Sequence, residues 1–151
     1  MLERVQPAGY RFVGDYTENG GILMRILICG DRYWVDKDLI KIKLYDIVKD
    51  YEDLVTKNIT IIHGNAPGAD ILGKQAALDL GIPEENILSF PADWKTHGRA
   101  AGPIRNKQML SEGKPDIVLA FHDDIGRPNC GTLDMIKQAN KAGVNVRLYA
   151  R

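Results

Sequence analysis

Two hydrophobic periods alternate along most of the chain. Short stretches that are largely apolar on consecutive positions occur at 25–29 (RILIC), 59–62 (ITII), 86–90 (NILSF), 116–121 (DIVLAF) and 144–149 (VNVRLY). Such runs predict strands buried on both faces. Between them the spacing changes to three and four. Ile40, Leu44, Ile47, Val48 and Tyr51 fall on one helical stripe, and Leu72, Ala76 and Leu80 on another that Gly81 ends. Pro103 suits the first turn of a helix running to about Gly113, because its missing N–H is not needed there. Thr132 can cap a last helix carrying Ile136 and Ala139 and ended by Gly143.

Strands alternating with helices predict an α/β fold: Rossmann-like, doubly wound, with a mainly parallel five-stranded sheet and helices on both faces. Residues 24–151 are expected to form this one domain. Residues 1–23 read as an N-terminal extension, with YRFV (10–13) a candidate edge strand and ENGG (18–21) a turn signal.

In such a sheet, ligands bind beyond the carboxyl ends of the strands. The helix-to-strand connections (KN, GIPEE, GKP, AG) are short and plain. The strand-to-helix loops are GDRYW, HGNAPGAD, PADWKTHGRAAGPIRN and HDDIGRPNCGT, and they hold nearly all the unusual residues. The candidate ligand-binding residues are therefore Gly30, Arg32 and Tyr33; His63, Gly64, Gly68 and Asp70; Trp94, Arg99, Arg105 and Asn106; and Gly131 and Thr132. Glycines leading into helix starts let backbone N–H groups approach a phosphate, although no Walker sequence follows either loop. Arg105, read in a first helical turn, opposes the helix dipole there; a phosphate or carboxylate contact explains it, and an ion pair with Asp93 is the alternative. Tyr33, Trp34 and Trp94 suit a nucleobase or the closed end of the core. Asp70 is also a candidate helix cap.

Twenty basic and twenty acidic side chains cancel, which disfavours a chain that coats nucleic acid. No apolar run is long enough to span a membrane, and the first residues lack an apolar signal core, so a cytoplasmic protein with no membrane partner is expected. Cys29 and Cys130 are expected to be reduced packing residues, with no base placed beside either. His63, His97 and His122 fall on the same edge without a local ligand motif, so neither a metal nor a cofactor is expected.

The stretches MRILICGDRYW, HGNAPGAD, PADWKTHGRAAGPIRNKQML, DIVLAF and GTLDMIKQA together resemble the YspA-type branch of the SLOG superfamily, over about residues 24 to 149. The resemblance implies a Rossmann-like fold that binds nucleotides or nucleotide-derived ligands. It also brings in phosphoribohydrolases that cleave nucleoside monophosphates, enzymes whose dimeric relatives imply a homodimer. RNKQM is similar to their Arg-Lys…Met helix start, and GRPNCGTLDM to their glycine-rich loop. The position of their catalytic Glu is Met135 here, and the carboxylate sits one place earlier, at Asp134.

Three readings follow. The first is a domain that binds a small nucleotide-type ligand. The second is an N-glycosidic hydrolase with Asp93 and Asp134 as candidate catalytic carboxylates. The third is a single-stranded DNA binder using Lys95, Arg99, Arg105 and Lys107, which ranks last.

Overall fold

A computed structural model describes residues 15–16, 21–51 and 54–151. The strands are β1 (Asp15–Tyr16), β2 (Ile22–Gly30), β3 (Ile59–His63), β4 (Ile87–Ser89), β5 (Ile117–Phe121) and β6 (Asn145–Tyr149). The helices are α1 (Lys37–Asp50), α2 (Ala69–Asp79), α3 (Trp94–His97), α4 (Ala101–Gly113) and α5 (Gly131–Lys141). Strands β2 to β6 pair in parallel in the order β4-β3-β2-β5-β6. The expected doubly wound α/β architecture is present.

The central strand explains why. Ile26, Leu27 and Ile28 of β2 are all fully buried. Side chains alternate across a strand, so consecutive apolar residues need cover on both faces. Ile26 and Ile28 pack in a core with Ile40 and Leu44 of α1 and Ala76 of α2. Leu27 and Cys29 pack in a second core with Met109 of α4 and Met135 of α5. The first strand is longer than RILIC suggested, because β1 pairs antiparallel with Ile22 and Leu23 at its start. The ENGG turn signal falls between these paired strands; its residues 18–20, like YRFV (10–13), lie outside the described residues.

Several local expectations change. The buried face of α2 is Ala69, Asp70, Gly73, Ala76 and Ala77, rotated from the Leu72–Ala76–Leu80 stripe. Small residues let α2 lie close to the sheet: a Cβ on Gly73 would sit 2.6 Å from the Ile28 Cγ2. The long third loop is not all loop. Asp93 accepts a hydrogen bond from the Thr96 N–H and caps α3. Because α4 begins at Ala101, Arg105 is in its second turn, not its first. The N-cap of α5 is Cys130, and Thr132 is a buried residue inside the helix rather than its cap. Among the described residues no helix is long and apolar enough to cross a membrane.

Candidate functional site

Strand β3 ends at His63, and the next residues turn back toward β2. Gly68 has φ 79°, a conformation that L side chains rarely adopt. It also lies against the first loop: an added Cβ would fall 2.3 Å from the Asp31 carbonyl oxygen. The Ala69 N–H donates to that same carbonyl at 3.1 Å. The two loops therefore meet backbone to backbone, and α2 starts from this contact.

Asp70 is buried and reaches back into its own loop. Its Oδ2 accepts from the Gly64 N–H at 2.8 Å and from the Ala66 N–H at 3.5 Å. It is a clamp on the loop and not the helix cap, which is Gly68. Burial raises the Asp70 carboxyl to about 6, against the Arg105 charge and the bonds from Gly64 and Ala66.

Arg105 arrives from α4 on the other side of Gly64. Its Nη1 donates to the Gly64 carbonyl at 2.6 Å and its Nε to the Asn106 Oδ1 at 3.1 Å. Its partner is thus the second loop and not Asp93. Asp93 is exposed, and hydrogen bonds from Thr96 hold its carboxyl below the usual range. Gly64 sits between Arg105 and Asp70: a Cβ there would come within 2.1 Å of Nη1 and 2.9 Å of the Asp70 Oδ2, so a larger residue would have to displace one of these side chains.

From Arg105 a polar chain runs to α5. Asn106 is buried, and its Nδ2 donates to the Asp134 Oδ2 at 2.9 Å and to the Gly131 carbonyl at 3.3 Å. The Gln138 Nε2 donates to the same Asp134 oxygen at 2.8 Å. Met135, one residue on, is fully buried in the core beneath. The carboxylate that faces Arg105's helix is therefore Asp134, because a one-residue step turns a helical side chain by about 100°.

A depression of about 920 Å³ opens on the other side of the second loop. Arg32, Tyr33 and Val35 form one wall, and Pro67, Gly68 and Ile71 another. Tyr33 is 70% exposed, whereas Trp34 is 2% exposed and packs against Phe121 at 5.7 Å between ring centroids. Adjacent aromatic residues thus divide between rim and core. Gly30 packs under this rim, where a Cβ would meet the Phe121 carbonyl oxygen at 2.2 Å. Trp94 and Arg99 are exposed on the third loop, and Trp94 lies over the start of α4 at Gly102.

His63 ends β3 and His122 follows directly on β5, and both rings are held alike. The Nδ1 of each accepts a backbone N–H two residues on, from Asn65 at 3.0 Å and from Asp124 at 2.9 Å. A backbone N–H can only donate, so the neutral rings carry their proton on Nε2. Burial, helped by the charges of Lys74 and Arg105, lowers His63 to about 4. No base is expected beside a cysteine from the sequence, but the fold brings the His122 Nε2 to 3.6 Å from the Cys130 Sγ. Eight residues separate them, and only the convergence of the β5 end and the α5 start joins them. Asn65, Pro67, Val35 and Gln138 were also not anticipated; nothing in their local spacing distinguishes them.

Comparison with protein families matches residues 24–97 to the YspA, cpYpsA-related SLOG family. The gene 61 protein of Mycobacterium phage D29 is 34% identical over 128 residues, covering 82% of this chain and 94% of the phage protein. With a Rossmann-like sheet and that likeness over most of its length, the chain belongs to the YspA-type SLOG family.

Proposed function

We propose that this protein binds a nucleotide or nucleotide-derived ligand, of phosphoribosyl or ADP-ribose type, at the carboxyl ends of its parallel strands. The observation that carries this reading is the open depression between the first two strand-to-helix loops. Its volume of about 920 Å³ lies in the range of small-molecule sites, roughly 300–1,000 Å³. An exposed tyrosine face on its rim suits a base, and the Arg32 guanidinium, 6.0 Å from the Tyr33 ring centroid, suits a phosphate. The start of α2 adds the positive end of a helix dipole. Family membership supports the same class of ligand.

Titration with AMP, other monophosphates, NAD and ADP-ribose tests this. Tyr33→Ala removes an exposed ring, so the fold should be unaffected while affinity falls about tenfold, one stacked base contributing roughly 1–3 kcal/mol. Arg105→Ala should weaken binding by about tenfold, indirectly, because it releases the Gly64 carbonyl and loosens the second loop that walls the depression. Undiminished affinity in both variants would remove the site.

One observation favours a second reading, hydrolysis of an N-glycosidic bond. The Asp134 carboxylate is half-buried and tied through Asn106 to Arg105. A carboxylate so held can stabilise the oxocarbenium ion formed as the base departs and orient the water that adds to it. Free base accumulating with time from a monophosphate, and absent with Asp134→Asn, would establish this activity. Ligand retained intact by both proteins would leave binding alone.

A further inference from the structure

We propose that Cys130 is a nucleophilic thiol and a site of oxidation by peroxides. The proposal does not depend on the nucleotide reading, since it rests on a separate cluster built from the ends of β2 and β5 and the start of α5.

The sulfur is held by geometry. The Asp124 N–H occupies the His122 Nδ1, so the ring presents Nε2–H to its other side. Two acceptors lie there: the Cys130 Sγ at 3.6 Å and the Asp31 Oδ2 at 3.9 Å. Asp31 is already engaged. Its Oδ2 accepts from the Arg127 Nη2 at 2.8 Å, and its Oδ1 from the Tyr33 N–H at 3.0 Å. The sulfur is thus the nearer and freer acceptor. His122 is buried, so the donor is shielded from water and cannot easily turn away. Cys130 is also the N-cap of an eleven-residue helix, at the positive end of its dipole. The His122 N–H and the helix start thus both face the sulfur, the setting in which reactive thiols are found. The other neighbouring carboxylate, Asp123, is held by Arg151 at 2.7 Å. Among the described residues no three of His, Cys, Asp and Glu are grouped to hold an ion.

The second cysteine provides an internal contrast. Cys29 is buried in the core, and burial pushes its thiol far up. Cys130 is partly exposed. Of the two, Cys130 is the one a small oxidant can reach.

In the reaction, the Cys130 thiolate attacks one oxygen of hydrogen peroxide. The S–O bond forms as the O–O bond breaks, and the electron pair leaves with hydroxide, which becomes water by taking up the proton the thiol released to solvent on ionising. The sulfur is oxidised by two electrons to sulfenic acid and the peroxide is reduced. His122 Nε2–H holds the sulfur throughout and transfers no proton.

The test uses the full chain at pH 7. Iodoacetamide alkylation, followed by mass mapping, reports nucleophilicity. With a fixed N–H donor and a helix start facing the sulfur, Cys130 should react about 3- to 10-fold faster than cysteine in an unstructured peptide. Cys29 should remain unlabelled. His122→Phe removes the donor and should return the rate to that of the peptide. Arg127→Ala changes an exposed residue, so it should fold even if the histidine variant does not. It frees the Asp31 carboxylate to take Nε2–H and should also slow alkylation. Equimolar hydrogen peroxide followed by a 1,3-dione trap should place an adduct on Cys130. A rate no faster than the peptide, unchanged rates in both variants, or no trapped adduct would each overturn the proposal.

Discussion

Gly68→Ala should lower the melting temperature by roughly 6–12 °C, for a stability loss of about 3 kcal/mol in a chain of this length. Two effects combine. The residue sits at φ 79°, where a Cβ is strained whatever its surroundings. The surroundings are also closed: the added carbon would lie 2.3 Å from the Asp31 carbonyl oxygen and 2.5 Å from the Arg32 carbonyl carbon and oxygen. These are backbone atoms, so relief requires the first and second loops to separate. That separation would break the Ala69 N–H bond to Asp31 and open the rim on which Tyr33 stands. Ligand affinity should fall with stability. Gly131→Ala makes the contrast. Nothing lies within 4 Å of a Cβ there, and the residue is helical. Stability should be unchanged or rise by about 0.5–1 kcal/mol, as alanine replaces glycine in a helix. If affinity still falls in Gly131→Ala, that glycine serves close approach to the ligand; if both properties hold, it serves only the turn. Thermal melts with and without ADP-ribose separate the cases.

Asp70→Asn should stabilise the protein at pH 7.5 by about 1–2 kcal/mol and give it a new sensitivity to acid. The Asp70 carboxyl lies at about 6 when folded, above its ordinary 3.8. The folded state therefore holds this proton more tightly than the unfolded chain. Its contribution to stability is greatest below about 4 and is lost as pH rises through about 6. His63 works in the opposite direction. It lies at about 4 when folded against an ordinary 6.5, so the unfolded chain binds its proton more tightly. Its contribution is complete above 6.5 and is lost as pH falls toward 4. Each is worth about 3 kcal/mol, and between pH 4 and 6 the two slopes oppose each other. Asparagine keeps an acceptor for the Gly64 N–H and removes one slope. Urea unfolding of Asp70→Asn should then show about 3 kcal/mol lost between pH 6.5 and 4, where these two groups leave the parent nearly flat. A variant less stable than the parent at pH 7.5 would mean that the Arg105 charge outweighs the cost of burial. Stabilisation would mark Asp70 as a residue retained for the shape of its loop at a cost in stability.

The meeting of the loops is partly legible in the local sequence. GPIRN and NCGT mark helix starts, and Arg105, Asn106 and Gly131 do meet at one place. What the local pattern misassigns is the partner. Asp93 is twelve residues from Arg105 and looks available, yet the guanidinium binds a carbonyl forty-one residues upstream. The same holds for Asp70, whose place near a helix start suggests a cap and whose carboxylate instead closes the loop behind it.

By itself the sequence determined the sheet, its parallel sense and the edge where the informative loops collect. Periodicity reports which face of an element is apolar, and continuous apolar runs require cover on both faces. Only the tertiary structure decided which of two adjacent aromatics enters the core, that Asp134 rather than Met135 faces Asn106, and that His122 meets Cys130. Those outcomes depend on how closely α2, α4 and α5 approach the sheet and on the rotation of each about its axis. Both are set by packing between distant segments, which no local spacing records.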